Sequence, residues 1–334
     1  MTQFYKLLFL STLLMSTLIT ISSLSWISSW IGLESNLLSF IPLMKSQKNK
    51  FSSESISKYF MTQAMASFLL LFSVVVFSSS KSFNFSLDNI TSMLMGSSLM
   101  MKMGAAPLHF WFPEVSSGIS WNSNMILLTW QKIAPMMLIS YLNIFNQLMF
   151  MFIMSSTIIG SMGGLNQICM RKILTYSSIN HIGWMLAAML CSLNTWMLYF
   201  SIYFIINIMI MKILKSYKIF FISQMGKIKN KSMKMLFMMN FFSLGGLPPF
   251  LGFLPKWITI NNLNNNNYYM FTVILIIFTL ISLFFYLRIT FASFSLYSNM
   301  SYTYNYKMNF INSAMSLMSL LMMPLSILLT IWLL

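Results

Sequence analysis

The chain has 334 residues, of which 57% are hydrophobic and only 7% charged. A soluble domain carries roughly a quarter charged residues, so a water-soluble globule of this length is excluded. The 20 Lys and Arg against 4 Asp and Glu leave a net charge of +16; that charge lies in short stretches between apolar runs, which argues for membrane orientation and against nucleic acid.

A bilayer crossing needs about 20 mainly apolar residues. On that length the sequence predicts an all-α polytopic membrane protein of about eleven transmembrane helices. In chain order they are 4–24, 26–44, 56–79, 90–112, 123–144, 147–165, 173–191, 195–214, 235–258, 268–290 and 311–334. The first lacks an Ala-x-Ala cleavage site and runs into a second apolar segment, so it reads as a span rather than a signal peptide. The longest connection, 215–234, is polar and Lys-rich, so the whole chain, 1–334, is expected to be one transmembrane domain.

If the spans alternate in direction, one side receives Lys6, Lys45, Lys48, Lys50, Lys58, Arg171, Lys172, the seven lysines from Lys212 to Lys234, Arg288 and Lys307. The other side receives Lys81. That asymmetry is the positive-inside pattern, and it places the N-terminus on the positive side and the C-terminus opposite. The 35 Met and the AT-rich flavour of the composition point to an organelle genome; in a mitochondrion the positive side is the matrix.

Three cations that this division leaves unassigned, Lys102, Lys132 and Lys256, fall inside spans, as does one acid, Glu34. Each costs at least ~2.5 kcal/mol at bilayer depth, so each is a functional candidate by default. The bland alternative, a buried ion pair that only ties helices together, weakens when four such residues share one chain. Two spans are interrupted beside a lysine. In the fourth, Lys102 precedes Gly104, Ala105, Ala106 and Pro107; in the ninth, Gly245, Gly246, Pro248 and Pro249 precede Pro255 and Lys256. Breaks free backbone groups that lipid cannot satisfy, so they belong where they line protein or water. The two broken spans are five apart and therefore antiparallel. Paired interruptions of that kind mark inverted repeats, here halves of five helices at roughly 1–145 and 146–290, with the last helix, 311–334, outside them.

Redox chemistry is not expected in this chain. Haem would need paired histidines on facing helices; His109 and His181 are the two histidines, and His109 sits within the interrupted fourth span. Cys169 and Cys191 have no metal-ligand spacing, and no Gly-rich dinucleotide fingerprint is present. Glu54 suits a helix N-terminus, Asp88 stands similarly before the fourth span, and Glu114 is placed to pair with a loop lysine.

Several stretches together resemble the chain 2 family of mitochondrial NADH–ubiquinone oxidoreductases, antiporter-like subunits of the respiratory complex I membrane arm. They are Trp30-Ile-Gly-Leu-Glu34-Ser-Asn36, Lys102-Met-Gly-Ala-Ala-Pro-Leu-His-Phe-Trp-Phe-Pro-Glu114, Thr129-Trp-Gln-Lys132-Ile-Ala-Pro135, Gly163-Gly-Leu-Asn-Gln167, Ser177-Ser-Ile-Asn-His181-Ile-Gly-Trp184 and Ser243-Leu-Gly-Gly-Leu-Pro-Pro-Phe-Leu-Gly-Phe-Leu-Pro-Lys256-Trp257. The stretch Asn194–Lys234 and the C-terminal span match only in character, and the composition looks like an arthropod version.

The resemblance implies fourteen helices in the bacterial form, with three lost in animals. It implies a proton relay of Glu34, Lys102, Lys132 and Lys256 along a mid-membrane axis, with His181 between the lysines. It also implies no cofactor in this chain, flavin and iron–sulfur clusters being held by other subunits. Neighbouring membrane-arm subunits and inner-membrane lipids would be the partners. In such a relay Glu34 holds Lys102 charged, and about 2.8 kcal/mol of attraction acts between charges ~6 Å apart at an effective dielectric near 20. The rivals are a free-standing cation/proton antiporter, which would need more carboxylates at depth, and a scaffold subunit whose charges are relics.

Overall fold

In lipid every backbone N–H and C=O must be paired within the protein, which leaves helices as the default element. The computed structural model describes residues 4–45, 51–82, 88–142, 146–228, 231–248 and 250–295. Pro249 and the expected last span, 311–334, lie outside the described residues. Within them the chain is helical, with one isolated β-bridge between Cys169 and Phe221. The helices are α1 (Phe4–Ile21), α2 (Trp26–Met44), α3 (Phe51–Ser82), α4 (Asp88–Met103), α5 (Trp111–Gly118), α6 (Trp121–Leu128), α7 (Ile133–Ser140), α8 (Asn146–Leu165), α9 (Met170–Cys191), α10 (Leu193–Ser216), α11 (Lys231–Gly245), α12 (Phe253–Asn265) and α13 (Tyr269–Ser295).

Helices thus cover each of the first ten expected spans, but three spans are divided: α4/α5, α6/α7 and α11/α12. Among the described residues five helices are long and apolar enough, by length and composition, to cross a membrane: α1, Phe51–Ser79 of α3, α8, α10 and Tyr269–Phe291 of α13. The divided helices fall short because their pieces are short, and α9 is diluted by Arg171, Lys172, Asn180 and His181.

The chain forms two compact units, Met1–Ser155 and Ser156–Leu334. In the first, α1 packs on α2, α2 on α3, and α3 along both α4 and α5, while α7 lies against α1 and α4. The turn between α1 and α2 is closed by a capping box, Ser25 Oγ accepting from Ser28 N at 3.2 Å and Ser28 Oγ accepting from Ser25 N at 3.3 Å. In the second unit α9 is central and packs against α10, α12 and α13. All twelve residues from Ser177 to Ala188 are buried, as expected of a helix enclosed on every side. Large apolar side chains face outward, with Leu18, Phe68, Met151, Leu280 and Phe284 all exposed, a surface that suits lipid. Polar groups point inward or back onto their own helix. Ser16, Thr20, Ser73, Ser98, Ser161 and Ser178 are buried, and each hydroxyl donates to a carbonyl three residues earlier.

Candidate functional site

The two Gly-Pro breaks are built alike. At the end of α4 the N–H of Gly104 donates to Met101 O at 3.1 Å and that of Ala105 to Met100 O at 3.0 Å. At the end of α11, Gly246 N–H donates to Ser243 O at 3.0 Å and Leu247 N–H to Phe242 O at 3.2 Å. Both are Schellman caps, in which the residue past the helix adopts the left-handed conformation that glycine tolerates. The glycines have φ of 75° and 77°. Each cap stops a helix inside the apolar part of the chain and leaves its last carbonyls needing donors.

Side chains supply them. In the first unit Trp111 Nε1 donates to Met101 O at 3.2 Å, Gln63 Nε2 to Lys102 O at 3.2 Å, and Ser155 Oγ to Ala106 O at 2.7 Å. In the second, the donor is the candidate lysine itself. Lys256 reaches back from α12, and its Nζ donates to Gly245 O at 3.0 Å and to Leu244 O at 3.4 Å. A cation at a helix C-terminus is the arrangement its dipole favours. The ammonium also stands 5.8 Å from the Trp184 ring centroid, within range of a cation–π attraction.

Lys132 lies in a break that composition does not advertise. The expected continuous span 123–144 is divided by a 3-10 turn, Trp130–Lys132, between α6 and α7. Pro135 accounts for it. Proline has no N–H to give to Gln131 O four residues back, and its ring crowds that carbonyl. The proline was in view in the sequence, and its spacing from Lys132 was the available signal. Lys132 is 1% exposed, and its Nζ stands 5.8 Å from the Phe112 ring centroid. A Cβ on Gly104 would lie 3.1 Å from that same ring, so Phe112 packs between the α4 break and Lys132.

Lys102 is buried at the last turn of α4, and its Nζ makes no hydrogen bond to a described residue. Beside it is a cavity of about 20 Å³ lined by Leu33, Asn36, Tyr59, Gln63, Gln131 and Pro135 among others. Glu34 is half-buried on α2. It makes no ion pair within 4.0 Å with Lys102; the ion pairs among the described residues are those of Lys58 with Glu54 and Glu114, both at 2.8 Å. Glu114 is expected to pair with a loop lysine; its partner, Lys58, lies on α3.

His181, 5% exposed on α9, hydrogen-bonds through Nδ1 to the Tyr199 hydroxyl at 2.9 Å, and its ring packs 5.1 Å from that of Tyr203. His109 sits at the first break, its Nδ1 3.3 Å from Pro107 O. Two of the cations counted on the positive side are engaged by other helices or buried. Lys234 is buried on α11, and Arg288 donates to Leu165 O and Gln167 O at the end of α8. Among the described residues no three His, Cys, Asp or Glu side chains come together as a metal site.

Comparison with known proteins adds the family. Residues 23–282 match the family described as NADH:quinone oxidoreductase/Mrp antiporter, TM. NADH-ubiquinone oxidoreductase chain 2 of Anopheles gambiae is 48% identical, covering 94% of this chain and 92% of that one. The same chain of Locusta migratoria is 45% identical over 95% and 93%, and that of Suncus etruscus 39% identical over 86% and 85%. Among solved structures, respiratory complex I from Thermus thermophilus contains a chain of the same fold, with a TM-score of 0.87 at 20% identity, covering 97% of this chain and 78% of that one. The Mrp complex of Dietzia sp. contains another, at 0.76 and 16%, covering 83% and 58%. A membrane-embedded helical chain with two glycine-capped breaks, matched over nearly its whole length by these relatives, belongs to the NADH-ubiquinone oxidoreductase chain 2 family.

Proposed function

We propose that the chain is a core membrane subunit of respiratory complex I in the mitochondrial inner membrane. It moves protons across that membrane while other subunits carry out NADH–ubiquinone oxidoreduction. The flavin and iron–sulfur clusters belong to those subunits, and this chain works against neighbouring antiporter-like subunits of the membrane arm. One observation carries the reading: each of the three lysines sits at or beside a helix break, Lys256 on freed backbone carbonyls, Lys132 near an aromatic ring and Lys102 beside a small polar cavity. A structural lysine would need a fixed acid partner, and neither Lys102 nor Lys256 has one within 4.0 Å among the described residues.

In this reading Lys132 and Lys256 take up and pass on protons through ordered water, with His181 as a further member of the relay. Lys102 is held charged by the field of Glu34 and released when that influence weakens. The matching caps at Gly104 and Gly246 support an inverted-repeat plan of five helices each, with about eleven helices in all. A cation/proton antiporter is less well supported, because Glu34 is the one carboxylate at depth.

The test is replacement of Lys132 or Lys256 by Met in the assembled complex, which removes a proton site and keeps most of the volume. Assembly is expected to persist, while coupled NADH–quinone turnover falls by at least about tenfold, the low end of what a positioned proton-transfer group contributes. Full turnover in both variants would leave the scaffold reading.

A further inference from the structure

Two polar residues of the quoted motifs have no part in the relay as stated: Asn36, two residues beyond Glu34, and Gln131, immediately before Lys132. The structure joins them. Gln131 Nε2 donates to Asn36 Oδ1 at 2.9 Å, across 95 residues of chain. Asn36 is 3% exposed, so an unmatched carbonyl there would carry the full desolvation penalty, and the bond is held firmly. It ties the helix that carries Glu34 to the 3-10 turn that carries Lys132. Both amides also line the 20 Å³ cavity beside Lys102, together with Tyr59 and Gln63. That volume exceeds the roughly 10–15 Å³ a single water needs, and its walls offer more than two polar partners.

We propose that Asn36 and Gln131 are a positioning pair for the relay: they fix the Lys132 turn to the Glu34 helix and orient one water on the Lys102 ammonium. The chemistry of the amide suits this task. It donates and accepts hydrogen bonds but neither gains nor loses a proton in the working range of pH. It can hold a water in line without competing for the proton that Lys102 carries. A movement of α2 that changes the field of Glu34 on Lys102 also moves Asn36, and through it Gln131 and the turn at Lys132. One hydrogen bond therefore transmits the state of the acid to the next lysine.

This rests on the relay reading, and the experiment separates the two. In the assembled complex, Asn36→Gln makes the pair one methylene too long, Gln131→Asn one too short, and the double substitution restores the combined length. All three keep a buried amide. Each single variant is expected to assemble and to lose about fivefold in coupled turnover, the equivalent of one net hydrogen bond. The double variant is expected to return to within about twofold of the parent. Single variants at parental rate, or a double variant no better than the singles, would overturn the pairing. If shortening Gln131 prevents assembly, Gln131→Glu keeps its length and volume. Its carboxylate pins the Lys102 proton, so turnover is expected to fall, and an unchanged rate overturns the proposal. Lys132→Met measured alongside reports on the relay itself: normal turnover there removes the relay, whereas a stalled Lys132→Met beside normal amide variants removes only the pair.

Discussion

At Gly246 one hydrogen atom decides whether a lysine can reach its carbonyls. The residue has φ of 77°, and a Cβ there would lie 2.9 Å from Lys256 Cδ and 3.0 Å from its Nζ. Gly246→Ala therefore imposes a left-handed conformation on an L-residue, at a cost of about 1–2 kcal/mol, and pushes the ammonium from Gly245 O. Gly245, one residue earlier, has nothing nearer than 3.6 Å. Gly245→Ala is accordingly expected to be nearly neutral, while Gly246→Ala lowers both the thermal stability of the assembled complex and its coupled turnover. Thermal inactivation of the two variants in parallel checks this, and equal behaviour would show that the cap does not position Lys256. Gly104 carries the same conformation, but its close neighbour is the Phe112 ring rather than a lysine. The two breaks thus share a backbone and differ in what the missing side chain protects.

At the scale of elements, helix ends are held by donors that arrive from other helices. Arg288 on α13 donates to Leu165 O and Gln167 O, closing the end of α8. Charged hydrogen bonds are worth roughly 1.5–3 kcal/mol each when partly buried, so Arg288→Met is expected to cost about 2 kcal/mol or more. The loss is read as a lower temperature at which the chain leaves the complex. Arg288→Lys recovers part of it, since one ammonium cannot span two carbonyls as a guanidinium fork does. Undiminished stability in Arg288→Met would show the contact to be incidental.

How legible these elements were in the sequence depended on the kind of break. Gly-Ala-Ala-Pro after Lys102 and Gly-Leu-Pro before Lys256 announce themselves, because glycine beyond a helix and proline just after it are local signals. The division at Trp130–Lys132 has no glycine, and its single proline falls inside an apolar run where tertiary packing decides between a kink and a stop. The ends of α9 and α10 were read to within a few residues from hydropathy. The burial of Lys234 and the capping role of Arg288 were not legible, since both need the partner helix and composition reports only that a cation follows an apolar run. Glu34, Lys102, Lys132 and Lys256 stand out as candidates by the rule that charge at depth needs a reason. The Asn36–Gln131 bond escaped it, because neutral amides raise no such alarm.

For the whole molecule, orientation follows from charge. Ser216, at the polar end of α10, and Asn265, at the end of α12, are both exposed. The positive-inside pattern puts the first with the Lys-rich connection on the matrix side and the second on the intermembrane side. A membrane-impermeant maleimide on intact mitoplasts is expected to modify Asn265→Cys at once and Ser216→Cys only after permeabilisation. The reverse order would invert the topology.

Proton carriage by buried lysines at helix breaks has a direct consequence for stoichiometry. It is tested most directly by counting protons moved per electron pair when the complex, reconstituted in sealed vesicles, oxidises NADH. With Lys132→Met or Lys256→Met, fully assembled, the count and the coupled rate should both fall below the parent, because one path is closed. An unchanged proton count at an unchanged rate in both variants would contradict the claim.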